Sequence, residues 1–158
     1  MRQLARNIKA NSIKFEKASN PVIVLGLRRG GTTMVADAIA ANKGVWFSNE
    51  PFAVLPAHPA YEKKLQLLPR RMHSHYFSLH GEDEKRFSEY LDSLFNATLK
   101  DLGTSRRPKF PFKADRVCLK VLNAPWMIDW LKNKTDAQIV PILRHPAAQA
   151  LSVLRQNW

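Results

Sequence analysis

One run of eight residues, GLRRGGTT from Gly26 to Thr33, has the spacing G-x-x-x-x-G-x-T of a phosphate-binding loop. Glycines such as Gly30 and Gly31 let successive backbone N–H groups converge on an anion, and a helix starting there turns the positive end of its dipole toward the same point. Thr32 and Thr33 add hydroxyl donors, and Arg28 and Arg29 add cations that cannot be deprotonated. A nucleotide triphosphatase needs more: a Lys immediately before the Ser/Thr, and a carboxylate at a neighbouring strand end to help hold Mg²⁺. Here Thr32 stands at the Lys position, and the apolar runs RVCLKVL and AQIVPILR end in Leu122-Asn123 and Arg144 rather than in an acid. Arginines and amides without that apparatus suit a transferred group of lower charge, because a sulfuryl group carries one negative charge where a terminal phosphoryl carries about two. A glycine-rich turn also forms without a ligand, so the elements on either side decide its meaning.

The remaining chemistry-bearing residues are less organised. His73, His75 and His80 include an H-x-H pair, but no Cys or paired acid accompanies them, which favours a solvated or acceptor-lining loop over a metal site. The one cysteine, Cys118, cannot form an intrachain disulfide and lies in RVCLKVL, where it reads as a small core residue. Phe110 and Phe112 sit in a basic loop that carries no recognised RNA- or DNA-binding motif, so no nucleic acid partner is expected. The net charge of +12 is uneven, with 12 basic against 4 acidic residues in 1–79 and 13 against 9 in 80–158. Such a surplus attracts polyanions, nucleotides, sulfated or phosphorylated substrates and acidic lipid surfaces alike, and by itself it names no function.

The elements that must position these groups follow an alternating pattern. PVIVLG is a β-branched run of the kind covered on both faces, and it leads straight into the loop. From Thr32 the period becomes helical, with Met34, Val35, Ala38 and Ile39 on one face and Gly44 as the stop. GVWFSNEP reads as a second strand ending at Glu50, whose backbone Pro51 should hold extended. Residues 52–84 contain a short helix at YEKKLQLL, and Phe87, Leu91, Leu94, Phe95, Leu99 and Leu102 then form the stripe of an amphipathic helix led by Glu82, Asp83 and Glu84. After a proline-containing loop at 104–115 come the strand RVCLKVL, a helix capped at Asn123 with Pro125 in its first turn, the strand AQIVPILR, and a helix with Pro146 at its start and Ala147, Leu151, Leu154 and Trp158 on its apolar side. Alternating strands and helices predict a three-layer α/β fold, a parallel sheet with helices on both faces. The 158 residues predict one domain, and no run approaches the ~18 consecutive apolar residues of a membrane span. The N-terminal stretch lacks a signal-peptide core, so the expected address is cytoplasmic.

On these residues the chain resembles the sulfotransferase family. Arg29-Gly30-Gly31-Thr32-Thr33 is similar to the Arg/Lys-Ser-Gly-Thr/Ser-Thr/Ser loop that holds the 5′-phosphosulfate of 3′-phosphoadenosine 5′-phosphosulfate (PAPS), with Gly30 where the family usually has Ser. The second signature, a strand-end Arg with a Ser eight residues later that binds the 3′-phosphate, is matched by Arg144 and Ser152 in RHPAAQALS. His145 and Ser152, seven residues apart, share a helix face, which lets the strand-end arginine and Ser152 converge on one phosphate. These motifs cover 20–52 and 116–158 and leave the middle unmatched.

The resemblance implies a P-loop-like nucleotide-binding fold and a PAPS-dependent transferase that uses no metal. It implies cofactor contacts from Arg28, Arg29, Gly30, Gly31, Thr32, Thr33, Arg144 and Ser152, and it implies a hydroxyl- or amine-bearing acceptor, for which the basic charge favours an anion. Many members place a His after the central strand, where this chain has Leu122. Carbohydrate- and tyrosine-modifying branches use instead a Glu, often followed by Pro, from the strand after the loop helix, and Asn49-Glu50-Pro51-Phe52 is similar to that. The implied roles are Glu50 as base, Arg29 as the cation at the leaving oxygen and Lys120 as a second cation. The expected domain is 1–158, with 1–20 as an N-terminal extension and the family's C-terminal portion absent. A P-loop kinase or NTPase and a non-catalytic basic anion-binding module remain the competing classes.

Overall fold

The computed structural model describes residues 14–15, 20–53, 61–68, 79–96, 113–122 and 124–156. Four parallel strands, β2 (Val22–Gly26), β3 (Val45–Asn49), β5 (Arg116–Leu122) and β6 (Gln138–Ile142), form a sheet in the order β3-β5-β2-β6. A separate two-residue parallel pair joins β1 (Lys14–Phe15) to β4 (Lys113–Ala114). The α/β architecture predicted from the alternating pattern is therefore present.

The strands are apolar on both faces because both are covered. Ile23, Leu25, Trp46, Val117, Leu119 and Val121 belong to one core cluster with α3 (Gly81–Phe95) and with Met127 and Leu131 of the next helical segment, a 3₁₀ turn at Pro125–Met127 that continues as α4 (Ile128–Lys134). Val22, Val24, Val45, Phe47 and Cys118 belong to the other, with Ala36 of α1 (Thr32–Ala40). Cys118 is buried, as expected of a core residue. Helices on both sheet faces make the three layers.

Several local expectations change. On α1 the inward residues are Thr32 and Ala36 with Val35 and Ile39 beside them, whereas Met34 is 74% exposed and Ala38 is exposed too. At 100° per residue, 32, 35, 36 and 39 share a face and 34 lies opposite, so periodicity outweighs the hydrophobicity of Met34. On α3, Phe87, Tyr90, Leu91 and Leu94 are buried, and the predicted stripe gains Tyr90; Leu99 and Leu102 lie outside the described residues. The 3₁₀ turn starts after Ala124, and Asn123, the expected cap, also lies outside them. The final helix, α5 (Pro146–Leu154), buries no residue: Leu151 and Leu154 are exposed at 54% and 70%. Ala147 of the predicted apolar stripe is exposed as well, and Trp158 lies outside the described residues. The short helix α2 (Tyr61–Leu67) forms as predicted. No helix among the described residues is long and apolar enough to cross a membrane.

Candidate functional site

Register brings the functional segments together. Gly26 pairs with both Leu122 and Ile142, and Asn49 pairs with Lys120, so the C-terminal ends of all four strands open on one edge, where open α/β sheets place ligands. The loop after Gly26 turns through a bond from Gly30 N–H to the Leu27 carbonyl (3.0 Å) and enters α1 at Gly31. Gly31 has φ +101°, which suits glycine, and no atom lies within 4 Å of where its Cβ would stand, leaving the helix N-terminus open. Gly30 is buried, and a Cβ there would meet the Leu27 carbonyl oxygen at 2.8 Å. A side chain at position 30 would thus press on the backbone of the loop itself.

A cavity of about 430 Å³ lies over the loop, lined by Arg28, Arg29, Gly31, Thr32, Thr33, Met34, Glu50, Lys120, Leu122 and Arg144. Seven of its polar or charged lining positions are ones the sequence singled out; Gly30 and Ser152 do not line it. A second cavity of about 350 Å³ adjoins it and shares Arg29 and Arg144, and Ala148, Leu151, Ser152, Arg155 and Gln156 complete its wall. Arg144 and Ser152 therefore converge on one space, as their spacing suggests. Arg155 joins them because it is three residues after Ser152 on the same helix, a relation visible in the sequence once Ser152 is placed.

Three hydrogen bonds tie the last segment to the loop. Arg144 Nη1 donates to the Arg29 carbonyl (2.9 Å), Gln149 Nε2 to the Arg28 carbonyl (2.5 Å), and Arg29 Nε to Ser152 Oγ (3.0 Å). Arg29 itself has φ +64°, a left-handed conformation uncommon for a side chain of its size. Arg29 lines both cavities.

In the first cavity, Lys120 is only 6% exposed and its Nζ donates to Glu50 Oε1 (3.0 Å) and Asn49 Oδ1 (2.9 Å). Pairing is what makes a buried ammonium tolerable. Glu50 departs from the extended backbone expected before Pro51, with φ +54°. Its N–H donates to the Lys120 carbonyl (2.8 Å) and its carbonyl accepts from Ala53 N–H (3.0 Å), a turn that overrides the local preference. Helices brace that turn from below. Tyr90 Oη donates to the Pro51 carbonyl (2.6 Å), the Phe52 ring meets Phe87 edge-on with centroids 4.9 Å apart, and the fully buried Lys64 donates to the Ala53 carbonyl (3.1 Å). Neither Tyr90 nor Lys64 was legible as a support for Glu50, because nothing in their spacing reveals a partner 39 or 11 residues away.

Residues 21–158 match the family model described as the sulfotransferase family. The chain belongs to the sulfotransferase family. The match runs through the middle segment as well as the two motif regions, a wider span than the motifs alone support. No curated protein and no solved structure matches the chain. Sulfuryl transfer is the general chemistry of this family. His73 and His75 fall outside the described residues; His80 precedes α3 at its N-cap position with no side-chain capping bond. Among the described residues no group of three or more His, Cys, Asp or Glu is arranged to hold a metal ion.

Proposed function

We propose that this sulfotransferase-family chain moves a sulfuryl group from PAPS to a hydroxyl or amine acceptor. The observation that carries the reading is that Glu50 and the GLRRGGTT loop line one cavity, with Arg29 shared between it and a second, arginine-lined one. The residues fit the nucleotide: open amides at a helix N-terminus suit a 5′-phosphosulfate, and Arg144, Ser152 and Arg155 offer charge and hydrogen bonds to a 3′-phosphate. When bound, PAPS supplies the sulfuryl group, and the sulfur–oxygen bond to its 5′-phosphate is the bond that breaks.

Glu50 takes the acceptor's O–H or N–H proton as the new bond to sulfur forms. Arg29 places fixed positive charge where negative charge collects on the departing phosphate oxygen. Thr32, Thr33 and the loop amides donate to the equatorial oxygens, and Lys120, held by Asn49 and Glu50, adds a second cation beside the reacting centre. Met34, an exposed residue, lines the same cavity, and the basic surface favours an anionic acceptor.

Titration calorimetry with 3′-phosphoadenosine 5′-phosphate and with ATP, each with and without excess chelator, tests the donor. The expected result is chelator-insensitive binding that prefers the 3′-phosphorylated nucleotide. Preference for ATP with a strict Mg²⁺ requirement would transfer the chain to the kinase reading, and salt-sensitive oligonucleotide binding without turnover would make it a basic binding module.

A further inference from the structure

Of the last segment's side chains that bond the loop, Arg144 and Ser152 have ligand roles in the reading above. Arg144 and Ser152 line the second cavity, and an anion arriving there competes for the groups that now bond Arg29. Gln149 is different. It lines neither cavity, and its Nε2 meets the carbonyl of Arg28, an acceptor with no proton to give, so the amide orientation is dictated. The peptide it holds is the one entering Arg29, a non-glycine loop residue with left-handed backbone. A left-handed side-chain residue reverts to commoner conformations unless its neighbours hold it.

We propose that Gln149 is a positioning residue for the phosphate loop: by fixing the Arg28 carbonyl it keeps the Arg28–Arg29 peptide in place when Arg144 and Ser152 turn to a nucleotide. It thereby keeps Arg29, which lines both cavities, in place throughout the binding step. The inference rests on the proposed nucleotide reading for its purpose, but the clasp itself can be measured without any ligand.

The test uses the 158-residue chain and two variants, Gln149→Met, which keeps length and loses the donor, and Gln149→Lys, which restores one. Amide hydrogen exchange of the ligand-free proteins is followed over 27–33, where the Gly30 N–H bond to Leu27 reports on the loop, and over 138–154. In Gln149→Met, exchange over 27–33 should rise roughly three- to tenfold, the size of one hydrogen bond, with 138–154 unchanged, and Gln149→Lys should recover most of the protection. The same variants are titrated with adenosine 5′-phosphosulfate and with adenosine 3′-phosphate; Gln149→Met should weaken the first by a similar factor and leave the second unchanged. Unchanged exchange over 27–33 overturns the proposal, and so does a rise spread over 138–154, which would make Gln149 a support of its own helix. If the unaltered chain binds neither nucleotide, the donor reading fails while the exchange data still decide the role of Gln149.

Discussion

Glu50 Oε1 lies 3.0 Å from Lys120 Nζ, so any variant at Glu50 disturbs both a proton acceptor and a paired, nearly buried cation. Glu50→Gln separates the two, because the amide oxygen still accepts from Lys120 but the side chain no longer takes a proton. Asn49 continues to hold the ammonium in that variant. Single-turnover transfer of labelled sulfate should fall by roughly 10²–10⁴-fold, with nucleotide affinity nearly unchanged. Arg29→Ala should instead damage binding and turnover together, since Arg29 lines both cavities and also bonds Ser152. Full activity in Glu50→Gln would remove Glu50 from the mechanism and direct attention to Lys120; lost nucleotide binding would make Glu50 a brace for the turn at 50–53.

At the scale of elements, α3 and α4 are joined by a polar clamp at the rim of the core. Glu84 Oε1 accepts from Lys134 Nζ (3.0 Å) and from Trp130 Nε1 (3.1 Å), beside the edge-on contact of Trp130 with Phe87. The Lys134 ammonium, and after it the Trp130 indole N–H, hold the Glu84 carboxyl below its ordinary range. A folded carboxyl lowered in this way contributes stability above the unfolded value, about 4.3, and that contribution fades as pH falls through the lower folded value. Thermal unfolding should therefore show the unaltered chain above Glu84→Gln by roughly 1–3 °C at pH 6–7, with the gap closing below about pH 4. A gap of equal size at both pH values would mean that the clamp does not depend on the charge.

The same scale shows what a reader of the sequence can and cannot find. β2, β3, β5 and β6 are legible because each is a short apolar run in a chain where helices separate the strands, and doubly covered parallel strands need that composition. The loop is legible because its glycines serve a backbone purpose that few other residues meet. Faces are harder. Met34 and Leu151 are apolar yet exposed, since burial depends on what lies opposite, and that is not a local property. The turn at Glu50 is set by bonds to Lys120 and Ala53, one of them 70 residues distant, which outweigh the rule for a residue before proline. Gln149 escapes for the same reason: its partner, the Arg28 carbonyl, is recognisable only after α5 has been placed against the loop.

Across the whole molecule the site joins segments far apart in the chain, with Arg144 bonding a loop residue 115 positions earlier. The fold concentrates Arg28, Arg29, Arg144 and Arg155 around two adjoining cavities where Glu50 is the only lining carboxylate among the described residues, and a net charge of +12 adds a field that draws anions toward them. Arg144, like Arg29, lines both cavities, and it also holds the loop through the Arg29 carbonyl. On the proposed reading, in which the second cavity takes the 3′-phosphate, Arg144→Ala removes a charge-assisted contact and should weaken 3′-phosphoadenosine 5′-phosphate by on the order of 2–3 kcal/mol. Adenosine 5′-phosphosulfate, which has no 3′-phosphate, should lose only the indirect part that passes through the Arg29 carbonyl, a bond exposed to water and partly replaced by it. Calorimetry on both nucleotides with the same variant reads the difference. Equal losses would show that Arg144 acts on the loop alone and that the second cavity is not the 3′-phosphate site; a loss confined to the 3′-phosphorylated nucleotide would assign the two cavities to the two ends of one ligand.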